Sequence, residues 1–260
     1  MTFRAKKGRA GRCGVKMKVI RKSCGPGARE AEGLAVIIDV FRAFSCAPLF
    51  FHFGARRVIL EADTAKALML KRENPGFVLI GEVNETPIEG ADLGNSPTHI
   101  IQKGEAFFRR KTVVHRTTAG VAGASAAFKR ADEVILGSFV VAGAVADYIK
   151  GKNPEQVSLV AMGERAERPA PEDEACADYL EHLLTGRPYD PVETLRKVVF
   201  QRTARKFLSG TRDYLPREDP IFCLQRDLFD LVLTVQGVGD RLEVAGLWGN
   251  GAGSFQPDTP

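Results

Sequence analysis

None of the five cysteines (Cys13, Cys24, Cys46, Cys176 and Cys223) stands in a CxxC pair, and the set is odd and scattered. That argues against a disulfide framework and a cysteine-rich zinc cluster, and suits a reducing, cytoplasmic compartment. Histidine is equally sparse. His52, His99, His115 and His182 make no HxH or HExxH spacing, so the usual zinc-hydrolase signatures are missing. His115 is expected as a core or edge histidine, and the others as structural or surface residues. No apolar run approaches the roughly 20 residues that cross a bilayer. The basic N-terminus leads into no apolar signal segment.

Acidic residues are absent from one region only. Residues 1–29 hold ten Lys or Arg and no Asp or Glu. The net charge of +5 over 260 residues therefore belongs to this leader. From Glu30 onward 27 basic residues face 32 acidic ones, and the body is mildly acidic. A nucleic-acid-binding surface would need a basic stripe on the body, and none is visible. Residues 1–16 are expected to form a disordered basic extension, 17–247 a single domain and 248–260 a flexible tail.

What is present is an alternation of short β-rich apolar runs with helical patterns. LAVIIDV (34–40), RVILEA (57–62), FVLIG (77–81), TVVHR (112–116), EVILG (133–137) and QVSLVAM (156–162) read as strands. Helical segments separate them, and near-continuous apolar strands imply coverage on both faces. The expected fold class is α/β, a three-layer α/β/α sandwich with a mostly parallel, mixed sheet. The helix from Pro171 carries the clearest signals: proline at its first position, three acids in its first turn and Gly186 as its stop. One further helix is expected over 192–208. DLVLTV (230–235) and RLEVAGL (241–247) are expected as edge strands or a hairpin.

Ligands of open α/β sheets bind beyond the carboxyl ends of strands. Asp39 and Arg42 follow the first buried run, and Glu82 follows the third. Thr117, Thr118 and Gly120 follow TVVHR, and Ser138 follows EVILG. Small and hydroxylated residues at a helix start, as in RTTAG (116–120) and GNSP (94–97), suit a phosphate oxyanion. Acids gathered at the same edge suggest Mg²⁺, which prefers oxygen ligands and retains waters. The other phosphatase chemistries fail on spacing. Asp39-Val40-Phe41 lacks the second aspartate of DxDxT, Cys46 lacks an arginine five residues on, and there is no GxxxxGK[ST] or GxSxG. Metal-assisted hydrolysis by an activated water survives.

VIIDVFRA (36–43), GEVNETPIEGADLGNSP (81–97), RTTAGVAG (116–123), GSFVVAGAVADYI (137–149) and VSLVAMGE…EDEACADYL (157–180) occur in an order that resembles the 2-phosphosulfolactate phosphatase family. DLGNSP is the most specific of these segments. The resemblance spans about residues 17–235. It implies Mg²⁺-dependent hydrolysis of a small anionic phosphate monoester, 2-phosphosulfolactate, to sulfolactate and phosphate. Asp39, Arg42, Glu82, Asp92, Asn95, Ser96, Thr118, Gly120, Ser138, Glu172 and Asp173 occupy matching positions. Asp39, Glu82, Asp92, Glu172 and Asp173 are the candidates for Mg²⁺ or its waters. Arg42, Asn95, Ser96, Thr117, Thr118, Gly120 and Ser138 are candidates for substrate oxygens, with Asp39, Arg42 and Asp92 catalytic and Asp92 the suggested general base. Val83, Ala91 and Ala119 depart from the family pattern, where Arg, Phe and Asn are common, and Ala91 is expected to enlarge the pocket. A different small phospho-acid substrate, or a non-catalytic protein that binds a phosphorylated metabolite, are the competing readings. No nucleic acid or membrane partner is expected, and homo-oligomerisation is left open.

Overall fold

The computed structural model describes residues 17–249. The expectations for residues 1–16 and for the tail beyond Gly249 lie outside the described residues. Trp248, assigned to the tail, is instead the last residue of a strand and pairs with Leu231.

Ten strands among the described residues form one mixed sheet. In chain order they are β1 (Lys18–Ser23), β2 (Leu34–Ile38), β3 (Arg57–Leu60), β4 (Val78–Val83), β5 (Thr86–Pro87), β6 (Thr112–Arg116), β7 (Glu133–Gly137), β8 (Gln156–Ala161), β9 (Leu231–Val238) and β10 (Arg241–Trp248). The helices are α1 (Cys24–Arg29), α2 (Ala43–His52), α3 (Thr64–Glu73), α4 (Pro97–Phe108), α5 (Gly120–Ala127), α6 (Ala142–Lys152), α7 (Pro171–Thr185), α8 (Pro191–Val199), α9 (Arg202–Leu208) and α10 (Glu218–Cys223). Every residue of β2 is buried, as expected of a strand covered on both faces. One face carries α1, α2, α4 and α5 in a core continuous across the sheet. The other face is split between a cluster under α6 and α7 and a smaller one under α3. The result is the expected three-layer sandwich.

The strand order is β1-β8-β2-β7-β9-β10-β3-β6-β4-β5. β1, β8, β2 and β7 are mutually parallel, and so are β3, β6 and β4. Between the two blocks lie three antiparallel pairings, β7 with β9, β9 with β10 and β10 with β3. An odd number of reversals makes the blocks run in opposite directions. The β9–β10 hairpin is thus the bridge at mid-sheet, not an edge feature. A flat sheet would put the carboxyl ends of β2 and β6 on opposite rims. Each pairing adds about 20–25° of twist, so the five steps from β2 to β6 accumulate roughly 100–125°. Twist of that size brings one diagonal pair of corners together across the shared helical face. The ends of β2 and β6 do meet there.

The segment 192–208 is two helices, α8 and α9, parted at Phe200–Gln201. Helix α7 begins and ends as its sequence signals require, with Pro171 in its first turn and Gly186 left-handed at φ 75°.

Candidate active site

The two corners enclose a cavity of about 370 Å³. Its floor is acidic. Asp39, Glu82, Glu172 and Asp173 are all buried and all line it. Asp39 leaves the end of β2 and accepts the backbone N–H of Ala43 at 3.3 Å and that of Gly120. A Cβ at Gly120 would stand 2.8 Å from Asp39 Oδ2 and 2.9 Å from Phe44 Cζ, so this close approach requires glycine. Glu82, the penultimate residue of β4, accepts the Thr118 N–H on Oε1 at 2.6 Å and the Thr118 hydroxyl on Oε2 at 3.2 Å. Asp173 accepts the N–H groups of Val40 and Gly163, each at 2.7 Å, and so ties the first turn of α7 to the ends of β2 and β8. Thr203 on α9 donates its hydroxyl to Glu172 Oε2 at 2.7 Å.

Four carboxyl groups under one roof cannot all ionise cheaply. Burial, then the charge of Glu82, raises the Asp39 carboxyl to about 7. Burial, then the charges of Asp39 and Glu172, lifts Asp173 well above the usual carboxylate range, and burial raises Glu172. Positive charge placed among them would relieve this cost. The donors are all oxygens, and Mg²⁺ is commonly held by one or two carboxylates, waters and a substrate phosphate. The residues therefore fit such an ion, although among the described residues no three or more His, Cys, Asp or Glu side chains form a ready metal-binding group.

The rim is basic. Arg165 and Arg168 come from the turn after β8, Arg202 and Lys206 from α9, and Arg212 from the loop that follows. Arg202 is held by Glu164 at 2.6 Å, and Lys206 pairs with Glu85. None of these rim cations was anticipated from the sequence. Arg202, Lys206 and Arg212 follow no strand, and solitary cations on or beside a short helix look like solvated surface; Arg165 and Arg168 follow β8, where the strand-end rule could have found them.

Of the residues singled out in the sequence, Asp39, Arg42, Glu82, Asn95, Thr117, Thr118, Glu172 and Asp173 line the cavity. Gly120 lies directly behind Asp39. Three are elsewhere employed. Asp92 lies outside the cavity, paired with Lys71 at 2.8 Å and accepting the Leu79 N–H at 2.8 Å; it pins α3 and β4 together. Ser138 is fully buried and donates to the Phe44 carbonyl at 2.8 Å. That carbonyl is the one Pro48, lacking an N–H, leaves without a helical partner. Ser96 caps α4 through the His99 N–H at 3.2 Å and donates to Asp219 at 2.9 Å. Asp219 also accepts the Thr98 N–H at 3.1 Å and the Arg42 guanidinium at 2.9 Å. Arg42 donates in addition to the Tyr214 carbonyl at 2.8 Å and stacks on Phe207 at 5.2 Å. Much of its binding capacity is thus structural. Ala91 packs against the cluster under α3 and does not widen the cavity, whereas Ala119 is on the cavity wall. The four described cysteines are buried thiols.

The profile of the 2-phosphosulpholactate phosphatase family matches residues 25–237. The chain belongs to this family. With that it joins a group of phosphoric monoester hydrolases. Among curated relatives, the "probable 2-phosphosulfolactate phosphatase" of Caldicellulosiruptor saccharolyticus is 37% identical over 221 residues, 77% of this chain and 88% of the relative. Proteins of the same name from Thermoplasma volcanium and Bacillus subtilis are 30% and 28% identical. They are covered over 94% and 88% of their length, and cover 82% and 79% of this chain. The 2-phosphosulfolactate phosphatase match runs through every strand from β2 to β8 and most of β9, and so includes the whole acidic floor and the basic rim. No helix among the described residues is long and apolar enough to cross a membrane.

Proposed function

We propose that the chain is a Mg²⁺-dependent phosphatase of a small, multiply anionic phosphate monoester, most closely of the 2-phosphosulfolactate type, giving sulfolactate and phosphate. The observation that carries this reading is the polarity of one cavity, four buried carboxylates on its floor beneath a rim of five cations. Asp39 and Glu82 are the residues that would hold Mg²⁺, with Asp173 orienting the strand ends around them. Bound there, the ion supplies charge compensation for the phosphoryl oxygens and a site to orient water.

The chain's own groups do the rest. Lys206 and the rim arginines bind the anionic arms of the ester and direct its phosphoryl end to the floor, Arg being suited to planar carboxylate or sulfonate oxygens. Thr117 and Thr118 line the cavity at the start of α5, where the N–H groups of Thr118 and Gly120 already serve the floor carboxylates Glu82 and Asp39. Asp92, outside the cavity, is unsuited to deprotonating the attacking water. Glu172 takes that role: Thr203 fixes Oε2, and burial raises its affinity for a proton, which it accepts at Oε1.

The test is phosphate release from 2-phosphosulfolactate by purified protein, with Mg²⁺ and after exhaustive chelation. Release that requires Mg²⁺ and is abolished in Asp39→Asn supports the proposal; unchanged turnover in that variant removes Asp39 from the site. Ala119 on the cavity wall favours one companion reading, a related small phospho-acid as the preferred substrate, distinguished by comparing kcat/KM over phosphorylated hydroxy acids with and without the sulfonate. Ligand-induced thermal stabilisation without release from any of these esters would indicate a binding protein.

A further inference from the structure

We propose that His115 is a positioning residue, which fixes the side-chain amide of Asn95 so that its NH₂ group faces the cavity and donates to the phosphoryl oxygens of the bound ester. The inference rests on the hydrolytic reading above and adds to it a residue that touches no substrate.

His115 lies on β6, fully buried, with its ring edge-on to Phe50 at 5.1 Å. Its Nε2 is 3.1 Å from Asn95 Oδ1. Its Nδ1 is buried and has no partner among the described residues. Two tautomers are conceivable. A proton on Nδ1 would leave a buried N–H unsatisfied; a proton on Nε2 leaves only a bare lone pair at Nδ1 and makes a hydrogen bond to Asn95. Orphaned buried N–H groups are the rarer and costlier defect. The Nε2–H tautomer is therefore favoured, and burial keeps the ring neutral by lowering its pKa to about 3.

A donor at Nε2 dictates the amide. Asn95 must offer Oδ1 to the histidine, which leaves Nδ2 on the other side. Asn95 is 3% exposed and lines the cavity, and its Nδ2 has neither a partner among the described residues nor complete burial. A flipped amide would set two donors against each other and present a carbonyl oxygen to an anionic ester. The neighbouring backbone is held as well, since Ser96 is bonded to both Asp219 and the start of α4. Rotation of the amide is the freedom that remains, and His115 removes it.

The experiment is a double-mutant cycle with a rescue arm: His115→Leu, His115→Gln, Asn95→Ala and the His115→Leu/Asn95→Ala double variant, assayed for phosphate release from 2-phosphosulfolactate with Mg²⁺. His115→Leu should lower kcat/KM about 10–100-fold, short of the roughly 100–1000-fold typical of deleting such a donor outright, because the amide is misaimed and not removed. His115→Gln, whose Nε2 can replace the imidazole donor, should stay within about 3-fold of wild type. In the Asn95→Ala background His115→Leu should cost nothing further. An equal loss in both backgrounds, or a glutamine variant as poor as leucine, would overturn the assignment. Absence of phosphate release by the wild-type protein would instead sink the hydrolytic reading. The cycle would then be read as affinity for inorganic phosphate by calorimetry, where the same non-additivity is expected and its absence overturns the inference.

Discussion

Asp39 carries the largest conflict in the molecule between stability and use. In the unfolded chain an aspartate ionises near 4, whereas in the folded protein burial and Glu82 raise Asp39 to about 7. The folded state therefore holds this proton more tightly. The stability it contributes is complete below about pH 4 and is lost as pH rises through about 7. Asparagine keeps the shape and does not titrate. Melting curves of metal-free protein should accordingly place Asp39→Asn above wild type at pH 8, by up to a few kcal/mol at about 1.4 per pH unit, with the gap narrowing steadily towards pH 4. A gap indifferent to pH would mean that Asp39 ionises without strain from its surroundings. Ser138 makes the opposite kind of prediction. Ser138→Ala should cost about 1–3 kcal/mol by leaving the Phe44 carbonyl unsatisfied, with KM unchanged. A raised KM with an unaltered melting temperature would return Ser138 to the substrate. At this scale the sequence was informative where a residue follows a strand: Asp39, Glu82 and Thr118 were legible for that reason. Ser138 obeys the same rule and serves a different need, because Pro48 creates a vacancy that strand position alone does not reveal.

Among elements, the node around Asp219 matters most. Its carboxylate on α10 collects Arg42 ahead of α2 and Ser96 and Thr98 at the start of α4, and both the Arg42 and Asp219 side chains are almost wholly buried. Asp219→Ala leaves the Arg42 charge buried without its partner and should destabilise by about 3–5 kcal/mol. The joint change Arg42→Met with Asp219→Leu should be milder than Asp219→Ala alone, as measured by urea denaturation. Strict additivity would show that the two side chains do not share one interaction. Nothing local in EDPIFC (218–223) announces this role, since the partners lie 121 to 177 residues away in the chain. Helix α9 was legible as helical but not as a separate piece, and its ties to Glu164, Glu172 and Glu85 are likewise long-range. Periodicity identifies a helix; it says nothing of what the helix covers.

For the molecule as a whole, the layer architecture followed from alternation, and seven of the ten described strands were found within two residues at each end; β9 runs three residues further than expected and β5 was not anticipated. The strand order did not. DLVLTV and RLEVAGL have the composition of strands in any position, and only coordinates put them between two blocks of opposite direction. Parallel strands throughout would bring the carboxyl ends together by direction; here twist brings them together across a diagonal. A chain ending at Phe229 would lack the hairpin and expose the sides of β7 and β3 as unpaired edges. Such a truncation should be recovered as aggregate, whereas soluble, cooperatively melting material would mean that the blocks dock without their bridge.

The hairpin that unites the sheet is also the last part of it to leave the ribosome. A nascent chain can assemble β2 with β7 and β3 with β6, yet each product waits with one open side until β9 and β10 follow, about a hundred residues later. Slow, late zippering of this kind lengthens exposure to wrong partners during synthesis. The enzyme's yield in a cell should therefore depend on chaperone supply more steeply than its finished stability suggests.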